Sequence, residues 1–251
     1  MSASYSVTAL SGVPLVQPGH DLCAVVTVAL AASALNLSDG DVVVLAQKIV
    51  SKAEGRQVLL DHVEPSTTAL NLARETGKDA RLVELILAEA VEIVRAKPGL
   101  LIVRNRHGLV LANAGIDQSN VAPGTALLLP VDPDASAVAL RDQLKCVTGR
   151  DVAVLIIDSL GRAWRMGTVG TAIGIAGLPG VLDLRGQPDL VGRKLETSEL
   201  GLADEVAAAA SLAMGQADEG TPVVIVRGLN IERREDSARS IVRPAAMDLF
   251  R

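Results

Sequence analysis

Asp158 and Ser159 follow an apolar run, V-A-V-L-I-I, at residues 152–157. Such a run is typical of a strand that is buried on both faces. Ligands of α/β proteins gather beyond the carboxyl ends of such strands. A carboxylate beside a hydroxyl offers the hard oxygen ligands that Mg²⁺ and Mn²⁺ prefer. The pair is therefore a candidate metal site, with a helix or turn cap as the simpler alternative.

Two arginines and the chain's single tryptophan come next, as Arg162, Trp164 and Arg165. Guanidinium groups bind phosphate or carboxylate through paired hydrogen bonds, but ordinary surface pairing is an equally good explanation of the arginines. The indole ring is suited either to stacking on a substrate or to packing between two subunits. These three residues are tentative substrate contacts.

Two lysines follow an earlier apolar run, D-V-V-V-L-A-Q, at residues 41–47. Lys48 and Lys52 are four positions apart. If this segment is helical, both ammonium groups share one face and are able to hold a chain of phosphates. A solvated surface is the alternative.

Three further aspartates stand in polar segments. Asp117 lies in I-D-Q-S-N, where its oxygen-rich neighbours suggest a ligand site and an Asx-turn is the commoner outcome. Asp132 and Asp134, in V-D-P-D-A-S, are better explained as a turn followed by a helix cap than as a metal site.

Other common site patterns are absent from the sequence or weak in it. There is neither a G-x-x-x-x-G-K-[ST] loop nor a G-x-G-x-x-G motif. The dense glycines at residues 167–180 fit close packing at least as well as ligand binding. His20, His62 and His107 lack the spacing of a catalytic triad or zinc site, so we treat them as structural.

Composition excludes several classes of protein. With 24 basic and 29 acidic residues the net charge is −5, and no basic cluster for nucleic acid is present. Cys23 and Cys146 lack metal-ligand spacing and fit reduced cytoplasmic thiols. The N-terminus lacks a signal-peptide pattern, and the apolar segments are shorter than the roughly 20 residues that cross a bilayer. We expect a cytoplasmic protein without nucleic-acid or membrane partners.

The apolar patterns predict a mixture of helices and strands. Helices are expected at residues 20–35, 66–76, 79–96, from 132 or 134 to about 145, and 202–214. Strands are expected at residues 41–47, 100–104, 109–112, 126–129, 152–158 and 222–226. Residues 159–199 show no firm periodicity, and connections of this length usually serve a function or an interface. Because strands and helices do not alternate strictly, we predict an α+β (mixed α/β) architecture.

Seven motifs occur along nearly the whole chain in a fixed order. They are V-P-L-V (13–16), G-D-V-V-V-L-A-Q-K-I-V-S-K-A-E-G-R (40–56), N-A-G-I-D-Q-S-N (113–120), L-P-V-D-P-D-A-S-A (129–137), D-S-L-G-R-A-W-R (158–165), L-A-D-E-V-A-A-A-A-S-L-A-M-G-Q (202–216) and P-V-V-I-V-R-G (222–228). In these motifs the chain resembles the coenzyme F420-0:L-glutamate ligases, the γ-glutamyl ligases of coenzyme F420 biosynthesis.

The resemblance implies one ligase domain over residues 1–251, with the family's own fold of two intimately joined subdomains and an intertwined homodimer. It implies that GTP and two Mg²⁺ or Mn²⁺ ions per subunit, with K⁺ as a further ion, serve to add L-glutamate to F420-0 through an acyl phosphate. Some relatives carry a second, nitroreductase-like domain after a D-L-F sequence. This chain stops at Arg251 directly after D-L-F, so no such domain is expected.

The resemblance also assigns roles to residues that match the motifs. Asp117 and Asp158 would be catalytic and bind the first metal, and Ser159 and Gln216 would bind the second. The GTP contacts would be Val13, Pro14, Leu15, Val16, Gln47, Lys48, Lys52, Asn120, Met214, Gly215, Gln216, Ala217, Asp218, Glu219, Gly220 and Thr221. Gln47 stands where some relatives have Ser, and Ser159 where others have Thr; both keep a polar oxygen.

Two alternatives remain beside this function. One is a related GTP-dependent amide ligase that acts on a different carboxylate acceptor, since no motif encodes a deazaflavin pocket. The other is a silent nucleotide-binding subunit, against which the joint presence of Asp117, Asp158, Ser159 and Gln216 argues.

Overall fold

The computed structural model describes residues 4–248. The expectation that no nitroreductase-like domain follows the D-L-F sequence concerns residues 249–251. These residues lie outside the described part of the chain. The helices are α1 (Leu22–Ala32), α2 (Gln47–Ala53), α3 (Thr67–Thr76), α4 (Ala80–Glu89), α5 (Pro133–Thr148) and α6 (Leu202–Met214). The strands are β1 (Ser6–Ala9), β2 (Val42–Ala46), β3 (Gln57–Leu59), β4 (Ala90–Lys97), β5 (Leu100–Asn105), β6 (Val110–Ala112), β7 (Thr125–Leu127), β8 (Ala153–Arg162), β9 (Arg165–Ala176), β10 (Leu182–Asp183), β11 (Glu199–Leu200) and β12 (Val223–Arg227).

A five-stranded sheet in the order β1-β12-β2-β8-β9 organises the larger part of the chain. β2 and β8 are parallel, and the other neighbouring strands are antiparallel. Aliphatic side chains of α1 and α5 cover one face of the sheet, and those of α6 cover the other. The sequences of β2 and of the first half of β8 are continuous apolar runs, because both faces of these strands are buried.

A three-stranded antiparallel sheet, β4-β5-β6, has a core of its own with α3 and α4. In the chain β3 follows α2 and β7 follows β6, and these two strands pair antiparallel. The observed architecture is therefore mixed α+β, as the sequence predicts.

Local sequence signals define several helix ends. Asp132 caps α5 by accepting a hydrogen bond from the Ala135 amide at 3.0 Å, which confirms its assignment as a cap. Asp134 accepts hydrogen bonds from the amides of Ile175 and Ala238 and so ties α5 to other segments. Gly149 ends α5 in the left-handed conformation that glycine adopts without strain.

The helix predicted at residues 79–96 is wrong in its second half. Helix α4 ends at Glu89, and β4 follows directly and pairs antiparallel with β5. The turn through Pro98 and Gly99 (φ 79°) makes this hairpin close. Ile93 and Val94 are exposed on the strand. Pairing with β5 therefore overrides the helical spacing of the apolar residues.

The long irregular region predicted after residue 158 is also wrong in its first part. β8 continues to Arg162, and β9 returns from Arg165 to Ala176, so Asp158 lies within a hairpin strand and not at a strand end. The turn places Trp164 at φ 60°. β9 was not predicted because residues 165–176 are rich in glycine, which weakens a strand pattern.

Among the predicted elements, α1, β2, α6 and β12 lie within a few residues of their expected bounds, whereas β1 and β3 were not predicted. The cysteines are free thiols, with Cys23 buried and Cys146 exposed. No helix within residues 4–248 has the length and apolar character needed to cross a membrane.

Candidate active site

One end of the five-stranded sheet brings distant segments together. The Ala46 amide donates to the Pro222 carbonyl at 2.9 Å, and the Leu10 amide donates to the Val223 carbonyl at 2.8 Å. Ala46 also pairs with Ile157 in the parallel register. The loop after β1, helix α2, Asp158 and the loop of residues 214–221 therefore meet at this end.

Helix α2 carries both lysines on one face, which confirms the helical reading of their spacing. The Lys48 Nζ lies 2.7 Å from Asp117 Oδ2 and donates to Ser119 Oγ at 2.6 Å. The Lys52 Nζ donates to the Asn120 carbonyl at 2.7 Å. The two lysines thus hold the polar loop against α2, and they are not solvated surface residues.

Asp117 combines the two outcomes that the sequence left open. Its Oδ1 accepts from the Ser119 amide at 2.6 Å, as in an Asx-turn, while its Oδ2 faces Lys48. Burial raises the pKa of this carboxyl, but the hydrogen bonds from Lys48 and Ser119 outweigh burial and the pKa lies below its usual value. Asp117 is therefore a stable carboxylate at neutral pH.

Asp158 has the opposite electrostatic balance. Burial raises its pKa from 3.8 to about 6, the nearby Asp117 charge adds to this rise, and the Ser159 amide and Lys48 oppose it. A partly buried carboxylate close to a second carboxylate is a place where an added cation is favourable.

Ser159 and Gln216 complete the oxygen-bearing groups. The Ser159 Oγ donates to Gln216 Oε1 at 2.6 Å, and the Ser159 amide donates to Asp158 Oδ1 at 2.8 Å. Residues separated by 57 positions in the chain therefore meet beside Asp158. The four predicted metal ligands offer oxygen atoms only, a set that suits a hard divalent cation which keeps waters or takes phosphate oxygens. Within residues 4–248 no group of three or more His, Cys, Asp and Glu side chains is positioned to hold a metal.

The loop of residues 214–221 folds around an internal anion. The Glu219 carboxylate accepts from the Ala217 amide at 2.8 Å, and hydrogen bonds from the amides of Glu219, Ala217 and Gln216 lower its pKa. Gly215 adopts φ 75°, a conformation that favours glycine, and a Cβ there would come 2.2 Å from the Glu219 Cδ and displace that carboxylate. Successive backbone amides around a carboxylate make a loop that is suited to anions.

Other predicted residues are less directly placed. The Gln47 side chain is buried and accepts from Ser51 Oγ at 2.9 Å. Val16 is buried in the core, whereas Leu15 is exposed. The segment of residues 13–16 thus follows β1, at the same end of the sheet, with its side chains divided between core and surface.

The hairpin tip carries the three tentative substrate contacts. Arg162, Trp164 and Arg165 are exposed, and Arg162 lies four residues, or about 13 Å, beyond Asp158 along the strand. The structure does not gather them with the two carboxylates of the same chain.

Sequence reasoning gave no role to two groups of the site. Ser119 is a direct partner of Lys48, and Thr171 pairs with Asp158 across the hairpin. The position of Ser119 two residues after Asp117 was the available signal. Nothing local marked Thr171, because its strand was not predicted.

Two carboxylates and two lysines thus meet at one end of the five-stranded sheet, beside a loop whose backbone amides hold a carboxylate. Residues 12–228 match the family model described as F420-0:Gamma-glutamyl ligase. The chain belongs to this family, and it is a ligase that forms an amide bond.

Three curated relatives cover almost the full chain. A coenzyme F420:L-glutamate ligase of Methanothermobacter thermautotrophicus is 48% identical over 98% of this chain and 98% of its own length. One of Methanopyrus kandleri is 49% identical over 94% of this chain and 93% of its own. One of Archaeoglobus fulgidus is 43% identical over 96% and 94%.

Proposed function

We propose that this protein joins L-glutamate to coenzyme F420-0 in a GTP-dependent reaction of coenzyme F420 biosynthesis. The observation that carries the proposal is the grouping of Asp117, Asp158 and Lys48 with Ser159 and Gln216 at one end of the sheet. The family match and the names of the relatives support the choice of substrates.

GTP would bind between α2 and the loop of residues 214–221. Lys48 and Lys52 present two ammonium groups to the phosphates, and the backbone amides now occupied by Glu219 are able to hold phosphate oxygens. Asn120 and the segment of residues 13–16 would provide further contacts. In this proposal the Glu219 carboxylate accepts the hydrogen bonds that a phosphate of GTP would accept when bound.

Asp117 and Asp158 would hold one Mg²⁺ or Mn²⁺, and Ser159 and Gln216 a second, with K⁺ as a further ion. When bound, divalent cations neutralise the phosphoryl oxygens and reduce the repulsion of an anionic acceptor. The raised pKa of Asp158 beside Asp117 is consistent with such a role, because the two negative charges are only partly balanced by Lys48.

The reaction would begin with transfer of the γ-phosphoryl group of GTP to the acceptor carboxylate, which releases GDP. A carboxylate is a poor electrophile, and the resulting acyl phosphate carries a good leaving group. The glutamate amine then attacks the carbonyl carbon, phosphate leaves and the amide bond forms. The residues of this chain contribute by orienting the substrates and balancing charge.

Assembly and surroundings form part of the same proposal. We infer a cytoplasmic, intertwined homodimer whose two subdomains are built on the five-stranded and the three-stranded sheet. Trp164 and Met166 are 86% and 98% exposed at the hairpin tip, and large exposed apolar side chains mark interfaces. Arg162, Trp164 and Arg165 would contact either a distant part of a long acceptor molecule or the substrate that is bound in the other subunit of such a dimer.

Incubation with F420-0, L-glutamate, GTP and Mn²⁺, followed by mass spectrometry, tests this function. We expect a product that is heavier by glutamyl units, together with GDP. Phosphate release without glutamylation would instead indicate a related ligase for another acceptor. GTP binding without turnover would indicate a silent nucleotide-binding subunit.

A further inference from the structure

A second polar region lies between the β5–β6 turn and the C-terminal segment. Two cavities of about 190 Å³ and about 360 Å³ occur side by side there, and both are lined by Arg106, His107 and Arg239. Arg104 and Arg243 join the lining of the larger one. Because the two cavities share lining residues, we treat them as one space, the arginine-lined cavity.

The walls of this cavity are held together by specific contacts. Gly108 adopts φ 84°, and a Cβ there would lie 3.2 Å from the Val242 Cγ1. The positive φ favours glycine at this turn, and the absence of a side chain leaves room for the C-terminal segment to lie close against it. The Ala238 amide donates to Asp134 Oδ1 at 2.9 Å, which anchors the same segment to α5.

The arginines of the cavity are only partly balanced by carboxylates. Arg104 pairs with Glu92 at 2.8 Å. Arg106 pairs with Glu89 at 3.1 Å, but Glu89 also pairs with Arg56 at 3.0 Å. One carboxylate therefore serves two guanidinium groups, and positive charge remains at the cavity.

The C-terminal side adds charge to this excess. In the structure of residues 4–248, the guanidinium groups of Arg239 and Arg243 make no hydrogen bond or ion pair. Asp248 is the acidic residue of the larger cavity. In the smaller cavity, Asp132 and Asp134 already accept hydrogen bonds from backbone amides. The arginine-lined cavity as a whole thus has four arginines against three carboxylates in its lining. Two of these carboxylates line the smaller cavity, whereas the larger cavity has the four arginines and Asp248.

Two buried nitrogen atoms of the lining lack partners. Arg104 Nε and His107 Nε2 are shielded from solvent and form no hydrogen bond within the described part of the chain. A buried polar group that is left unpaired destabilises the folded chain. Such groups are expected where a ligand supplies the missing partner.

The cavity also lies near the candidate active site. Ile173 of β9 is part of its wall, and Thr171, two residues earlier on β9, pairs with Asp158. Two residues of extended strand span about 7 Å. A molecule anchored in the cavity is therefore able to extend toward Asp158.

We propose that the arginine-lined cavity binds the phosphodiester of the acceptor F420-0, so that the reacting carboxylate of that molecule reaches the Asp158 site. This inference rests on the proposed function. Guanidinium groups match the oxygens of a phosphodiester with paired, charge-assisted hydrogen bonds. Local positive charge also offsets the repulsion that a chain of net charge −5 exerts on an anionic acceptor.

The test compares two double variants with the same change in charge. Arg239→Gln with Arg243→Gln removes two cavity cations, and Arg95→Gln with Lys97→Gln removes two exposed cations of β4. We expect the KM for F420-0 to rise about tenfold or more in the cavity variant, the effect of losing one charge-assisted hydrogen bond or more. The KM for GTP and for glutamate should stay within about twofold, and the control should behave as the wild type.

Three results would overturn the inference while leaving the proposed function intact. They are an unchanged KM for F420-0, a rise in the KM for GTP alone, and a loss of affinity confined to the glutamylated product. The second result would assign the cavity to nucleotide phosphate. The third would assign it to the carboxylates of the glutamyl tail.

Direct binding separates this inference from the proposed function. F420-0 is titrated into each protein without GTP or glutamate, and the dissociation constant is measured. A failure of the wild type to ligate does not by itself overturn the inference. The result required is that the cavity variant binds F420-0 about tenfold more weakly than the wild type, whereas the control variant binds it equally well. Equal affinity in wild type and variant excludes it.

Discussion

The candidate active site and the arginine-lined cavity lie beside the same strand, β9, but they have opposite charge. In the active site, Asp117 is neutralised by Lys48 at 2.7 Å, and Asp158 is a partly buried carboxyl with a raised pKa. In the cavity, arginines outnumber carboxylates. Excess negative charge suits cations, and excess positive charge suits the anionic part of a substrate. Under the two proposals made above, chemistry and substrate anchoring are performed by separate regions.

Removal of the Asp158 charge should have the largest effect on ligation and should leave substrate anchoring intact. For Asp158→Asn we expect ligation to fall by about 100-fold or more, because a proposed metal ligand is lost without a change in volume. The affinity for F420-0 alone should not change. Steady-state assays and F420-0 titration measure the two effects.

Asp183→Asn is the matched control, since this exposed aspartate of β10 pairs with Arg185 on the surface. It should keep full activity. Normal turnover of Asp158→Asn at limiting Mn²⁺ would contradict the assignment of Asp158.

The same variant should alter the pH dependence of stability in metal-free solution. The pKa of Asp158 is raised from 3.8 to about 6 in the folded protein, so folding favours its protonated form. Wild-type stability therefore falls between about pH 4 and pH 6, and the loss is complete above the folded pKa. We expect Asp158→Asn to be more stable than the wild type at pH 7 by up to about 3 kcal/mol, and equal near pH 3.5.

Urea unfolding in EDTA at a series of pH values measures this difference in the free energy of unfolding. A constant difference between the two proteins from pH 3.5 to pH 7 would show that Asp158 is not a strained carboxyl. The candidate active site would then lack the raised pKa of Asp158, which is the feature that distinguishes it from an ordinary ion pair.

Loss of the Lys48 charge should unbalance the active site and spare the cavity. For Lys48→Gln we expect the KM for GTP to rise about tenfold, because one charge-assisted contact to phosphate is removed. The KM for F420-0 should remain within about twofold. Lys97→Gln, an exposed lysine of β4, is the control. A rise in the KM for F420-0 as large as that for GTP would show that the two regions are not independent.

Glu219→Gln should give the smallest effect and in the opposite direction. The Glu219 carboxylate occupies backbone amides that we assign to phosphate, so weakening it should lower the KM for GTP by about threefold. Glu232→Gln, at another exposed acidic residue, should leave the KM unchanged. A higher KM for GTP in Glu219→Gln would show that the carboxylate supports the loop and does not compete with phosphate.

Much of the fold followed from local pattern. The apolar run of β2, the spacing of Lys48 and Lys52, and the Asp132 cap each depend on residues within a few positions of one another. Helical spacing failed at residues 90–97, where β4 pairs with β5. It failed because the apolar pattern of this segment is compatible with a helix or a strand. The partner strand decides between the two, and the local pattern does not identify that partner.

The residues of the candidate active site were also available from the sequence. The motifs provided Asp117, Asp158, Ser159, Gln216 and the lysines, since each motif is a short local string. The arginine-lined cavity was not available, because Arg104 and Arg239 belong to segments more than a hundred residues apart and neither stands in a recognisable pattern.

The sequence by itself determined which residue types are present for chemistry and which local elements hold them. The tertiary structure decided that Lys48 faces Asp117, that Ser159 meets Gln216 and that the C-terminal arginines cover the β5–β6 turn. The physical reason is one of range. Propensity, capping and hydrophobic period act over a few residues, whereas charge pairing, desolvation and strand register depend on segments that meet only when the whole chain is packed.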